Sequence, residues 1–198
     1  VLQQGKKNGL SEETINVLEE QMSFSSPLHN QVNALIELYN AGQMVATEKA
    51  CLELLQTYPQ ALVVINILGA AFKAQGKLAE AVASYDQAIE LKPDYAEAYY
   101  NRGITLHEMG QLAEAVLSYD QAIELKPNYA EAHNGRATTL QELGKLAEAV
   151  VSYDQAIQLK PDYAEAYSNR GITLQELGKL AEAVASYDRA IELNPDYV

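Results

Sequence analysis

Apolar and polar residues fall at helical spacing along most of this chain, and the pattern then repeats. Within residues 96–127, Tyr99, Gly103 and Leu106 recur at that spacing until Gly110, and Ala115, Tyr119, Ala122 and Ile123 form a second stripe ending at Pro127. Apolar positions three or four residues apart share one face of an α-helix, while glycine and proline stop it. The pattern predicts two helices of about three to four turns joined by a short turn. Shifted by 34 residues the frame returns, and Tyr95–Asn128, Tyr129–Asp162 and Tyr163–Asp196 are nearly identical. A period of this length marks an array of helical units, each burying its apolar face on its neighbours. Upstream, residues 1–10 are polar and read as a lead-in. Ser11 with Glu12 and Glu13 has the character of an N-cap with an acidic first turn. Ile15, Leu18 and Met22 then predict a short amphipathic helix ending near Ser23–Pro27.

Small residues mark where the paired helices must approach most closely: Gly69, Gly103, Ala137 and Gly171 in the first helices, and Ala81, Ala115, Ala149 and Ala183 in the second. This alternation of aromatic, small and apolar positions, with the closing proline, resembles the tetratricopeptide repeat from Leu28 to Tyr197. The resemblance implies an all-α, right-handed superhelical solenoid of antiparallel helix pairs. Its expected domains are a lead-in with a short helix over 1–26, then five repeats over 27–198 (28–61, 62–95, 96–129, 130–163 and 164–197). The first repeat departs from the pattern, with Leu35 where its sisters have Gly or Ala and Thr47 where they have Ala. Terminal repeats are commonly atypical.

One substitution travels in pairs. The family usually has Leu before the small residue of the first helix, but the last three repeats carry Arg102, Arg136 and Arg170. Sixteen residues before each stands an aspartate, Asp86, Asp120 and Asp154, whereas Leu68 is preceded at that interval by Leu52. A packed arginine needs a partner, so the second helix of one repeat is expected to meet the first helix of the next through these pairs. Asp188 holds the same position with no arginine after it, so another repeat is expected to follow.

Composition narrows the role. A net charge of −13 and a pI near 4.6 argue against nucleic acid or an anionic membrane as partner. The single cysteine, Cys51, sits in an apolar stretch and reads as a buried, inert thiol. No apolar run reaches membrane-spanning length and no signal peptide is visible, so the expected location is cytoplasmic. A chain that starts at Val1 and not at Met is expected to be a piece of a longer protein.

No catalytic constellation, metal-ligand cluster or phosphate-binding loop emerges, so the expectation is a non-enzymatic stretch with no cofactor and no metal. His133 stands where its sisters have Tyr99 and Tyr167, and reads as core or half-buried. The resemblance implies that first helices line a concave groove, and so nominates partner-binding residues. These are Glu97, Tyr100, Asn101, His107 and Glu108 with Ile104; Glu131, Asn134, Gln141 and Glu142 with Thr138; and Glu165, Ser168, Asn169, Gln175 and Glu176 with Ile172. Two glutamate ladders on one surface would attract Lys- or Arg-bearing peptides. The plainer reading of the same glutamates is a solvated face.

Asn101 and Asn169 look like the asparagine ladder in the repeat arms of O-linked N-acetylglucosamine transferases, with Gly135 interrupting it and Asn134 displaced by one. A carboxamide can grip an extended peptide backbone. The two-carboxylate clamp for heat-shock chaperone tails is set aside, because Glu131 and Gly135 stand where it needs Lys and Arg. The expected function is a protein-interaction scaffold presenting an acidic groove to a basic or polar peptide, with Tyr100 as anchor. The alternatives are the substrate-recruiting arm of a larger glycosyltransferase or sulfotransferase, and homodimer formation through the last helix, whose Ala190, Ile191 and Leu193 lack a polar cap.

Overall fold

The computed structural model describes residues 27–195. The expected helix around Ser11–Met22 lies outside them. Among the described residues there are ten α-helices: α1 Pro27–Asn40, α2 Met44–Thr57, α3 Leu62–Ala74, α4 Leu78–Leu91, α5 Ala96–Glu108, α6 Leu112–Leu125, α7 Ala130–Glu142, α8 Leu146–Leu159, α9 Ala164–Glu176 and α10 Leu180–Leu193. The chain is all-α. It forms two compact units, Val1–Thr105 and Leu106–Val198, with the division inside α5.

The local chemistry explains the helix boundaries. Each first helix ends in a turn whose glycine has positive φ, from Gly42 at 74° to Gly178 at 75°. A side chain is disfavoured in that region, so glycine at this place lets the chain reverse without strain. At the other end, Lys126 lies 4.5 Å above the Tyr129 ring and Lys160 lies 4.7 Å above Tyr163, cation–π contacts that brace the linkers around Pro127 and Pro161. Buried serine and threonine hydroxyls bond to carbonyls one turn back in their own helices. Ser84 and Ser152 donate to the carbonyls of Glu80 and Glu148, and Thr139 and Thr173 to those of Gly135 and Asn169.

In the first unit α1 packs on α2 and α3, α2 on α3, and α3 on α4. Its core is made of branched aliphatics. Every residue of α3 from Leu62 to Gly69 is buried, and Val32, Ile36, Cys51 and Leu54 pack against it. Leu35 and Thr47, which break the repeat pattern, are both buried. Burial also pushes the Cys51 thiol up to about 12, which keeps it protonated and inert.

In the second unit each helix from α6 to α10 packs on the next, and α7 also touches α9. Here the core is small and aromatic: Ala137, Ala149, Ala156 and Ala166 surround Tyr153 and Leu140. Burial pushes the Tyr153 hydroxyl up to about 12, with the hydrogen bond from Thr138 partly offsetting it. At the end helix α10, Ala190 is buried, while Leu180, Val184 and Ile191 are exposed.

Candidate functional site

The arginine–aspartate pairs form as the covariation required. Arg102 Nε lies 2.7 Å from Asp86 Oδ1 in the first unit. In the second, Arg136 Nε donates to Asp120 Oδ1 at 2.5 Å and Arg170 Nε to Asp154 Oδ1 at 2.6 Å. Each of these two guanidiniums also reaches a serine that sequence reasoning missed: Arg136 Nη1 donates to Ser152 Oγ at 2.6 Å and Arg170 Nη1 to Ser186 Oγ at 2.7 Å. One side chain on α7 therefore ties α6 to α8, and one on α9 ties α8 to α10. The aspartates are more than 40% exposed, so each pair contributes about 1 kcal/mol or less and acts mainly to fix helix register.

The residues nominated for binding lie on the first helices, and the structure connects many of them by cross-repeat hydrogen bonds. His107 Nε2 and Glu142 Oε1 are 2.9 Å apart, and Gln141 Nε2 donates to Glu176 Oε1 at 2.8 Å. Both pairs span 35 residues, one more than the period. Asn134 Nδ2 donates to Glu165 Oε1 at 3.2 Å, and Lys160 Nζ to Glu131 Oε1 at 3.4 Å. Buried Tyr153 donates its hydroxyl to Gln141 Oε1, and Tyr187 donates to Gln175 Oε1. Ser168 and Asn169 are half-buried, and Glu142, Glu165, Gln175 and Glu176 are exposed.

In the first unit Asn101 Nδ2 donates to Asn66 Oδ1 at 3.1 Å, again over 35 residues. Asn66 was not singled out from sequence, although a lone carboxamide inside the apolar run of α3 was the available signal. Tyr100 is half-buried. Glu108, in the second unit, is exposed.

Two nominated residues depart from an open glutamate–asparagine surface. Glu97 is only 1% exposed and Asn134 only 5%. Asn134 commits its amide to the exposed Glu165. Glu97 stands in the first turn of α5, where the helix dipole favours a carboxylate. The continuous glutamate ladders are therefore corrected to a surface of exposed carboxylates that are largely hydrogen-bonded to neighbouring repeats. His133 is half-buried, with Nε2 3.1 Å from the Pro127 carbonyl oxygen. Tyr85 and Tyr119 are buried as packing residues. Among the described residues no group of His, Cys, Asp and Glu could hold a metal ion, and no helix is long and apolar enough to cross a membrane.

No curated protein matches the chain. Solved structures do resemble it. A crystal structure of MamA is 23% identical with a TM-score of 0.75, covering 82% of this chain and 95% of that one. MamA 41-end from Desulfovibrio magneticus RS-1 is 16% identical with a TM-score of 0.77, covering 88% and 99%. YrrB, a TPR protein with an unusual peptide-binding site, is 22% identical with a TM-score of 0.69, covering 94% of each chain. At such identities the likeness speaks to fold. The TPR repeat family matches residues 69–110, 105–144 and 139–178, more than half of the chain, and the Tetratricopeptide repeat family matches 164–197. The chain belongs to the tetratricopeptide repeat family.

Proposed function

We propose that this protein is a non-catalytic interaction scaffold whose second unit takes an extended, basic or polar peptide segment on the face formed by its first helices. The observation that carries this reading is the polar row on α7 and α9. Glu142, Glu165, Gln175 and Glu176 are exposed there; the preceding repeat holds the three glutamates in place by hydrogen bonds to His107, Asn134 and Gln141, and Tyr187 of the same repeat holds Gln175. Groups fixed in advance lose little rotamer entropy on binding. Carboxylates and carboxamides together suit Lys or Arg side chains and the backbone between them. The structural neighbour YrrB, a TPR protein with a peptide-binding site, supports an interaction role. In the first unit the half-buried Tyr100 and Asn101 are the candidate contacts.

The test is fluorescence anisotropy with labelled, extended peptides that are Lys-rich, neutral or Asp-rich. The Lys-rich peptide should bind best, weaken with salt, and lose about tenfold or more when Glu142, Glu165 and Glu176 become Gln. Equal binding of all three peptides, or unchanged binding by the Gln variant, would make the carboxylates a solvating face only.

A further inference from the structure

The first turns of α5, α7 and α9 each carry a glutamate at the same place in the repeat, and its surroundings differ from copy to copy. Glu97 of α5 is buried. Glu131 of α7 is half-buried, and Lys160, which ends α8 in the same repeat, brings its Nζ within 3.4 Å of Glu131 Oε1. Glu165 of α9 is exposed. The residue equivalent to Lys160 in that repeat is Asn194, which ends α10 with a similar backbone, φ −147° and ψ 101° against −133° and 86°. Lys126 holds the same place one repeat earlier. Among the described residues Glu165 therefore meets no Lys or Arg, and its hydrogen bond comes from the neutral Asn134.

Asn134 is itself short of a partner. It is only 5% exposed, and its Nδ2 donates to Glu165 Oε1 at 3.2 Å. Its Oδ1 is buried and accepts no hydrogen bond among the described residues. A buried amide oxygen left in that state is unfavourable. Turning the carboxamide over gives no relief, because the oxygen would then face the Glu165 carboxylate. A carboxylate without a cation and an acceptor without a donor thus meet in one place. The other exposed glutamates of the row differ. Glu176 also takes its hydrogen bond from a neutral amide, but the oxygen of that residue, Gln141, already accepts from Tyr153. Glu142 faces the ring of His107.

We infer that Asn134 and Glu165 form the anchor subsite of the peptide face, and that its ligand is a primary ammonium, the side chain of a peptide lysine. This rests on the peptide-binding reading above and adds where the lysine sits. An ammonium carries three donors on one compact charge. It neutralises Glu165 as Lys160 neutralises Glu131, and a second N–H supplies the donor that Asn134 Oδ1 lacks. The carboxamide is able to turn toward the incoming group, since its side chain is held by the bond to Glu165 alone. A guanidinium fits less well, because its planar fork seeks both oxygens of a carboxylate and Oε1 is already engaged. One turn back along α7 the Glu131–Lys160 pair cancels its own charge, which leaves the attraction for a cation concentrated at Glu165.

The test is anisotropy on the whole chain with the labelled Lys-rich peptide and single substitutions. Glu165→Gln should weaken binding about tenfold, and Glu142→Gln or Glu176→Gln only about twofold each. Asn194→Lys supplies the missing cation from within the repeat. It should weaken the peptide about tenfold while leaving the thermal midpoint no lower, which separates a filled site from a damaged fold. Gln111→Lys makes the same charge change at an exposed place where Lys77, Lys145 and Lys179 stand in other repeats, and should alter binding less than about twofold. The side-chain amide resonance of Asn134, assigned by its loss in Asn134→Ala, should shift as the peptide is added. An Arg-rich peptide of equal length should bind the parent less tightly. If the Lys-rich peptide binds but Glu165→Gln and Asn194→Lys leave its affinity unchanged, the subsite is overturned and the peptide-binding reading stands. Tighter binding of the Arg-rich peptide would overturn the lysine assignment. Failure of the parent to bind the Lys-rich peptide at all would overturn the reading and the subsite together.

Discussion

Where α2 meets α3, Leu68 is buried and Leu52 stands sixteen residues before it; where α6 meets α7, Arg136 and Asp120 occupy the same two places, 2.5 Å apart. Around the first junction lies a core of Val, Ile and Leu. Around the second, alanines and tyrosine fill the space, and a guanidinium links three helices through Asp120 and Ser152. Both junctions join the second helix of one pair to the first of the next. The apolar one draws on burial, which is large and indifferent to geometry. The charged one contributes less energy but is directional, and within the second unit its repetition gives successive helix pairs one register.

The largest effect expected from this contrast is in the aliphatic core. Ile65 is fully buried, so Ile65→Ala should cost about 2–5 kcal/mol. Ala137→Gly in the second unit should cost about 1 kcal/mol, chiefly through helix propensity. Hydrogen exchange resolved by unit is the measurement, because helix pairs in an array need not unfold together. Equal losses would mean that the two cores do not differ as their side chains indicate.

Next come the small residues beneath the tyrosines. A Cβ at Gly69 would lie 2.7 Å from Tyr85 Cε1, and one at Gly171 would lie 2.6 Å from Tyr187 Cε1. Tyr85 is fully packed, whereas Tyr187 is half-buried on the end helix α10. Gly69→Ala should therefore cost about 1–3 kcal/mol. At Gly171 the ring can yield, and the gain of about 1 kcal/mol in helix propensity should bring the change close to neutral. Thermal melts of the two variants decide this.

Alkaline titration separates the units by a smaller margin. Burial raises Cys51 from an ordinary 9.0 to about 12 in the first unit, and Tyr153 from 10.0 to about 12 in the second. The folded chain keeps protons that the unfolded chain has released. Stability is therefore full below the ordinary value and falls as pH rises toward the folded one. The first unit should weaken from pH 9, by about 1 kcal/mol at pH 10, and the second only above pH 10. Cys51→Val should remove the earlier slope. Melts between pH 8 and 11 would show both steps.

Much of this molecule was legible because a repeat announces which residues are equivalent. The helices, their glycine turns and the tyrosine packing follow from position within the 34-residue frame. The Arg–Asp pairs were legible for a further reason: both members change together between Leu52/Leu68 and Asp86/Arg102. Equivalence does not reveal which residues meet across neighbouring helices, however. His107–Glu142, Gln141–Glu176 and Asn66–Asn101 are each offset by one residue from the period, so in-register comparison passes over them. Burial of Glu97 was hidden as well, since Glu131 and Glu165 at the same position are half-buried and exposed. The candidate surface was thus placed on the right helices, while which carboxylates stand open depended on neighbours that the period alone does not identify.

The finest test is to exchange one kind of junction for the other. Arg136→Leu alone strands Asp120 and frees Ser152, and Asp120→Leu alone leaves a partly buried guanidinium short of one acceptor. Each should cost about 1 kcal/mol. The double variant recreates the Leu52–Leu68 arrangement and should recover most of that loss, giving a coupling energy of about 0.5–1 kcal/mol in the cycle. Salt sharpens the comparison. Raising ionic strength should shrink the cost of each single variant, because screening weakens the parent pair, and it should leave the double variant unmoved. If the double variant instead shows the sum of the two losses at every salt concentration, the serine bridge and not the ion pair sets the register, and Ser152→Ala should then reproduce the whole effect.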